Sequence, residues 1–169
     1  MEARTEIGNV REHNEDSLTV LPPLFAVADG MGGHEAGEVA SEITINTLND
    51  LAPQSADAEA LARAVVAANL NVIKAPSQGV GREGMGTTLT AAILEKERLV
   101  IAQVGDSRAY LLHNGSLQQL TRDPQPYGRY DRAGQLTEAE ARVHPNRSVI
   151  TRAIGSDPHM QPDLYRAQC

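Results

Sequence analysis

The chain has 169 residues, a formal net charge of -7 and one cysteine, Cys169. This length suits a single domain spanning residues 1–169. The acidic charge argues against nucleic acid or an anionic membrane surface as the main partner. The lone cysteine excludes an internal disulfide or a thiolate zinc site. Neither a transmembrane run nor a signal peptide is recognisable, so we expect a cytoplasmic protein with no membrane partner.

The first half of the chain predicts two strands followed by two helices. Alternating and apolar residues indicate strands over Ser17–Leu21 and Leu24–Ala28, joined by a Pro-Pro pair. The apolar spacing then becomes helical over Glu35–Leu51. A second helix is predicted from about Asp57 to Ile73, with Ser55 or Asp57 as its N-cap. Each helix should place one apolar stripe in the core.

The second half is rich in predicted strands. A glycine-rich loop over 75–86 precedes three β-branched or apolar runs, at 87–94, 98–104 and 108–113. Asn114-Gly115 predicts a tight hairpin into residues 116–120, because both turn positions need a positive φ. A capping box at Thr137 predicts a short helix, and residues 148–154 one more strand. Helices grouped apart from antiparallel strands indicate an α+β fold.

Acidic residues stand at three predicted strand ends. Glu15 and Asp16 precede the first strand, Asp29 follows the second and is followed by Gly30, and Asp106 lies between two later strands. Mg²⁺ and Mn²⁺ prefer oxygen ligands of this kind, and an arginine such as Arg11 can hold phosphate oxygens. Two cations can activate water for attack on phosphorus. These residues could therefore hydrolyse a phosphate ester.

Simpler interpretations exist for each motif alone. An Asp-Gly pair is more often a turn than a metal site. The glycines of the 75–86 loop lack the Lys-Ser/Thr pair of a phosphate-binding loop, which favours a flexible loop. His13, His34 and Glu35 lack the spaced histidine pair with which a helix binds zinc.

The order of the motifs favours the phosphate-ester hypothesis. The chain resembles bacterial metal-dependent serine/threonine protein phosphatases of the PPM family (type 2C), and the resemblance covers nearly its whole length. The motifs that carry it are, in order, GNVREHNEDS, FAVADGMGGHEAGEVAS, GMGTTLTAAIL, AQVGDSRAYLLHNGSLQQLTRD and RAGQLTEAEARVHPNRSVITRAIG.

This resemblance implies a central antiparallel β-sandwich flanked by helices, with two metal ions at one end. It implies that Asp29 bridges the two ions, that the Gly30 carbonyl binds one of them, and that Asp106 holds a third, weaker one. Arg11 would contact the substrate phosphate, Glu15 would hold metal-bound water, and Asp16 would support it. The implied cofactors are Mn²⁺ or Mg²⁺. The implied activity is hydrolysis of phosphoserine and phosphothreonine in signalling phosphoproteins, among them a serine/threonine kinase or its targets.

The chain departs from the family pattern in two places. Pro124 and Pro126 replace the usual sequence of the mobile flap, which predicts an altered flap. The family completes its metal site with later Asp-Gly and Asp-Asn motifs, and none of the aspartates after Asp106 is followed by Gly or Asn. We therefore expect a fold incomplete at the C-terminus, with apolar sheet faces exposed. An alternative function is that of a truncated, inactive phosphatase-like protein that binds phosphoproteins.

Overall fold

The computed structural model describes residues 2–10, 12–33, 35–123 and 152–169. Predictions for Arg11, His34, the flap prolines and the capping box at Thr137 lie outside these residues. Within them, strands and helices follow in the order β1 Asp16–Leu21, β2 Leu24–Met31, α1 Glu35–Leu51, α2 Ala58–Lys74, β3 Gly86–Thr87, β4 Leu89–Glu95, β5 Arg98–Val104, β6 Tyr110–His113, β7 Ser116–Gln119 and β8 Asp163–Gln168. A short 3-10 helix, Ala75–Gln78, follows α2.

The strands form antiparallel sheets, as the sequence predicts. The main sheet has the order β1-β2-β4-β5-β8, and β3 pairs with the end of β2. Strands β6 and β7 form a separate hairpin, in which Asn114 and Gly115 have φ angles of 49° and 74°. The hairpin prediction is confirmed, because both turn residues adopt the positive φ that it requires.

Both helices cover the same face of the main sheet. The predicted stripe of α2 is almost fully buried, at 0–1% exposure for Leu61, Val65, Ala68 and Val72. Asp57 is its N-cap and accepts a 3.0 Å hydrogen bond from the Ala60 amide. Helix α1 has the predicted bounds, but its last three residues, 49–51, are exposed, with Leu51 at 55%. No helix in the described part of the chain is long and apolar enough to cross a bilayer.

One strand prediction needs correction, and another is described only in part. Strand β2 does not end at Ala28 but continues through Asp29 to Met31, because Gly30 and Met31 pair with β3. In the predicted strand over 148–154, only residues 152–154 are described, and Ile154 there forms an isolated bridge to Thr87. The sequence prediction missed β8, which pairs with β5 at the edge of the sheet.

The second face of the main sheet is partly covered. Residues 105–123 cover this face over β5 and β8, where Gln103 is only 1% exposed. The Arg122 amide of this segment donates to the hydroxyl of Tyr165 in β8 at 3.2 Å. Over β1, β2 and β4 the expected exposed apolar surface is present, with Val20, Val27 and Leu94 at 39%, 55% and 37% exposure.

Candidate active site

Five carboxylates lie at one end of the main sheet, which we call the acidic end: Glu15, Asp16, Asp29, Asp106 and Asp163. Antiparallel pairing explains the grouping, because the starts of β1 and β8 and the ends of β2 and β5 meet at this end. The fold thereby brings residues that are far apart in sequence to the same end of the sheet. The sequence prediction did not include Asp163.

Asp16 and Asp29 are directly opposite each other on β1 and β2. Side chains of opposite residues in an antiparallel pair project from the same face, where like charges destabilise the sheet. The position of Asp16 is supported by Asn14, whose side-chain oxygen accepts from the Asp16 amide at 3.0 Å. Two carboxylates held in this way suit a divalent cation, which would relieve their repulsion.

Gly30 and Gly37 bring the end of β2, the first turn of α1 and Glu15 into close contact. A Cβ on Gly30 would lie 2.5 Å from the Gly37 carbonyl carbon and 2.6 Å from the Glu15 carbonyl oxygen. A Cβ on Gly37 would overlap the Glu15 carboxylate and lie 2.9 Å from the Met31 amide nitrogen. The backbone is fixed further, because the Ser41 hydroxyl donates to the Glu15 carbonyl at 2.7 Å. Only glycine at both positions keeps Glu15 beside the Asp29-Gly30 corner.

Thr88 connects the backbone of Asp29 to the loop that carries Asp106. Its hydroxyl accepts from the Asp29 amide at 3.3 Å and from the Ser107 hydroxyl at 3.5 Å. Its own amide donates to the Asp29 carbonyl at 2.9 Å. Gly105 has a φ of 109°, and a Cβ there would lie 2.9 Å from the Thr88 methyl. The Asp106 loop therefore packs beside Asp29, with the Asp106 residue exposed.

The later aspartates that the structure describes make other interactions. Asp123 accepts two hydrogen bonds from Arg108, each of 2.7 Å, and this guanidinium holds the pKa of the carboxyl below its usual range. Asp163 pairs with Arg152 at 2.7 Å. Asp157 accepts from the His159 amide at 2.8 Å. Asp131 lies outside the described residues.

The acidic end offers carboxylate oxygens and the Gly30 carbonyl oxygen, which are the types of ligand atom that a hard divalent cation prefers. Within residues 2–10, 12–33, 35–123 and 152–169, no group of three or more His, Cys, Asp or Glu side chains is placed to hold a metal ion. The described side chains therefore supply part of a ligand set. Arg11, predicted to contact phosphate, is not among them.

A cavity of about 330 Å³ adjoins this end and is lined by Glu12, His13, Gly33, Glu35 and Arg82. These residues come from the segment before Glu15, from the turn after β2, from the start of α1, and from the loop before β3. Sequence reasoning treated the last of these only as a flexible glycine-rich loop. Nothing in its composition indicated that Arg82 faces a cavity.

Comparison with known proteins identifies the family. Residues 11–154 match the family model for protein phosphatase 2C, and this match includes Glu15, Asp16, Asp29 and Asp106. The chain belongs to the protein phosphatase 2C family. The predicted family is thereby confirmed.

Individual members of the protein phosphatase 2C family agree in sequence and fold. Serine/threonine phosphatase stp of Listeria welshimeri is 38% identical over 176 residues, which cover 97% of this chain and 70% of that protein. The crystal structure of the Mycobacterium tuberculosis serine/threonine phosphatase PstP/Ppp matches with a TM-score of 0.76 and 41% identity, over 98% of this chain and 72% of that one. The PstP catalytic domain in complex with two manganese ions matches with a TM-score of 0.74 and 39% identity, over 98% and 70% of the two chains. The predicted fold and enzyme class are confirmed at the level of this family.

Proposed function

We propose that this chain hydrolyses phosphoserine and phosphothreonine in proteins with the help of Mn²⁺ or Mg²⁺ held at the acidic end. The observation that carries the proposal is the position of Asp29. Asp29 is opposite Asp16 in the sheet. It directly precedes Gly30, and the close contact between Gly30 and Gly37 keeps Glu15 nearby. Hydrogen bonds of Thr88 link it to the Asp106 loop. The two manganese ions of the PstP catalytic domain support the choice of cation.

Each of the predicted site residues has a part in this proposal. Asp29 and the Gly30 carbonyl would hold the two main cations, and Asp106 a third. Such cations lower the pKa of water and neutralise charge on phosphate. Glu15 and Asp16 would orient water as hydrogen-bond acceptors. Arg11 would hold the substrate phosphate, because a guanidinium can donate two parallel hydrogen bonds to phosphate oxygens.

The second candidate is a phosphatase-like protein that binds phosphoproteins without hydrolysing them. One observation favours it. Of the aspartates after Asp106 that the structure describes, Asp123 and Asp163 are in ion pairs and Asp157 accepts from a turn amide. These carboxylates would have to leave their partners to bind a cation.

Phosphate release from a phosphothreonine peptide in Mn²⁺ separates the two candidates. We expect release by the wild-type chain and a loss of more than about 100-fold in Asp29→Asn, because even the partners of metal ligands contribute about 10- to 100-fold. Asp50→Asn removes an exposed carboxylate at the end of α1 and should keep full activity. Equal rates in wild type and Asp29→Asn would contradict the proposal. Peptide binding without any release would support the second candidate.

A further inference from the structure

The cavity beside the acidic end has a composition that the proposed reaction does not explain. Hydrolysis of the phosphate ester uses Arg11 and the carboxylates, whereas the cavity presents Arg82 together with Glu12 and Glu35. Glu12 directly follows Arg11 in sequence, Gly33 belongs to the connection between β2 and α1, and Glu35 is the first residue of α1. The cavity therefore adjoins the place where the proposed function puts the phosphorylated residue.

The backbone that carries Arg82 is held in place. Its carbonyl accepts a 3.3 Å hydrogen bond from the Met85 amide, and Met85 is only 3% exposed. Met85 also packs on the turn after Asp29, since a Cβ on Gly32 would lie 3.2 Å from the Met85 Cα. The next residue, Gly86, pairs with Met31. The exposed Arg82 side chain therefore extends from a backbone fixed against the candidate site.

Arg82 also differs from most described arginines in its charge environment. In the described part of the chain, Arg82 forms no ion pair, whereas five other arginines do: Arg4, Arg98, Arg108, Arg152 and Arg166. Glu12 and Glu35 line the same cavity, yet neither is in an ion pair with Arg82. The guanidinium keeps its charge at all physiological pH values and can bind a carboxylate with two hydrogen bonds.

We propose that Arg82 is a specificity-determining residue that binds the carboxylate of an Asp or Glu next to the phosphorylated residue of the substrate. The inference rests on the proposed function, because it assigns the neighbouring residue of the same phosphoprotein. An extended peptide advances about 3.3 Å per residue, so residues one or two positions from the phosphate can reach an adjoining cavity. The volume of about 330 Å³ accommodates one side chain with its solvent.

Of the side chains that line the cavity, Arg82 is the one with a permanent positive charge, so the preference should depend on it. Without the guanidinium, the cavity would present the carboxylates of Glu12 and Glu35 and would repel an acidic side chain. Replacing Arg82 should therefore reverse the preference, so that a lysine beside the phosphorylated residue is favoured. A general loss of binding would not show such a reversal.

The test measures Kd by fluorescence anisotropy with non-hydrolysable phosphonate analogues of phosphothreonine peptides, in Mn²⁺. Three peptides carry Asp, Ala or Lys on both sides of the phosphorylated residue. The proteins are wild type, Arg82→Ala, Arg82→Lys and Arg63→Ala; the last removes an exposed arginine of α2 that does not line the cavity. We expect wild type to bind the Asp peptide roughly 10-fold more tightly than the Ala peptide, as a charge-assisted hydrogen bond would give.

The variants then decide the role of Arg82. Arg82→Ala should lose the preference for Asp and favour Lys, Arg82→Lys should keep part of the preference for Asp, and Arg63→Ala should resemble wild type. Wild type that binds the three peptides equally, prefers Lys, or binds none would overturn the inference, as would a matching change in Arg63→Ala. Hydrolysis of p-nitrophenyl phosphate by wild type, which involves no neighbouring residue, reports separately on the proposed function.

Discussion

Two glycines determine whether Glu15 can lie beside Asp29. Gly30 could be recognised from the sequence, because a glycine that follows an acid at a strand end frees the backbone carbonyl. Gly37 could not, because it is in a helix and its neighbours come from β2 and from the segment before β1. Sequence patterns report local conformation, whereas this contact joins three segments.

Replacing Gly37 with alanine tests that contact. In an isolated helix, replacing glycine with alanine would stabilise the helix by up to about 1 kcal/mol, because alanine is the better helix former. Here the new Cβ would lie 2.9 Å from the Gly30 carbonyl carbon and the Met31 amide nitrogen, which cannot move independently. We expect a net decrease of about 1–3 kcal/mol in the free energy of unfolding, measured by urea denaturation.

Asn46→Ala is the matched control, since Asn46 is an exposed position of the same helix. It should be neutral or slightly stabilising. An increase in stability for Gly37→Ala similar to that control would show that β2 and α1 are less tightly packed than the structure indicates.

The helices and strands were predicted to different degrees. The bounds of α1 and α2 could be predicted within a residue, because long amphipathic periods and an aspartate cap define them. Strand β8 was missed because its residues, DLYRAQ, do not alternate regularly between polar and apolar, and because its pairing with β5 is set by tertiary structure. The extension of β2 through Gly30 also depends on a partner, β3, that the sequence does not place.

The segment that leads to β8 is attached to α2 by one buried side chain. Asn69 is 0% exposed, donates to the Asp157 carbonyl at 2.8 Å and accepts from the Gly155 amide at 2.7 Å. Asn69→Ala leaves both groups without this partner. We expect a loss of about 2–4 kcal/mol in the free energy of unfolding, because each buried polar group left unpaired costs about 1–3 kcal/mol.

Asn71→Ala is the control, since Asn71 is exposed on the same helix and makes one side-chain hydrogen bond, of 3.0 Å to Thr47. Its cost should stay below about 1 kcal/mol. Hydrogen exchange at the Gly155 amide should accelerate in Asn69→Ala only. Equal costs for the two variants would argue that Asn69 does not anchor the segment.

The arrangement of the whole sheet explains why the candidate site could be predicted only in part. The sequence predicted which acids would form a site, and the antiparallel order brings Glu15, Asp16, Asp29 and Asp106 to one end. Thr88 was visible only as part of the GMGTT motif, because its role depends on contacts with β2 and with the Asp106 loop. The position of Asp163 at this end follows from β8, and it was missed for the same reason as that strand.

The central claim is that the acidic end binds divalent cations through Asp29. It is tested most directly by Mn²⁺ binding, measured as the loss of the free-ion electron paramagnetic resonance signal in wild type, Asp29→Asn and Asp50→Asn. We predict saturable binding by wild type and Asp50→Asn, and an affinity at least about 10-fold lower in Asp29→Asn, the lower end of the loss typical for partners of metal ligands. Equal Mn²⁺ affinity in wild type and Asp29→Asn would contradict the claim.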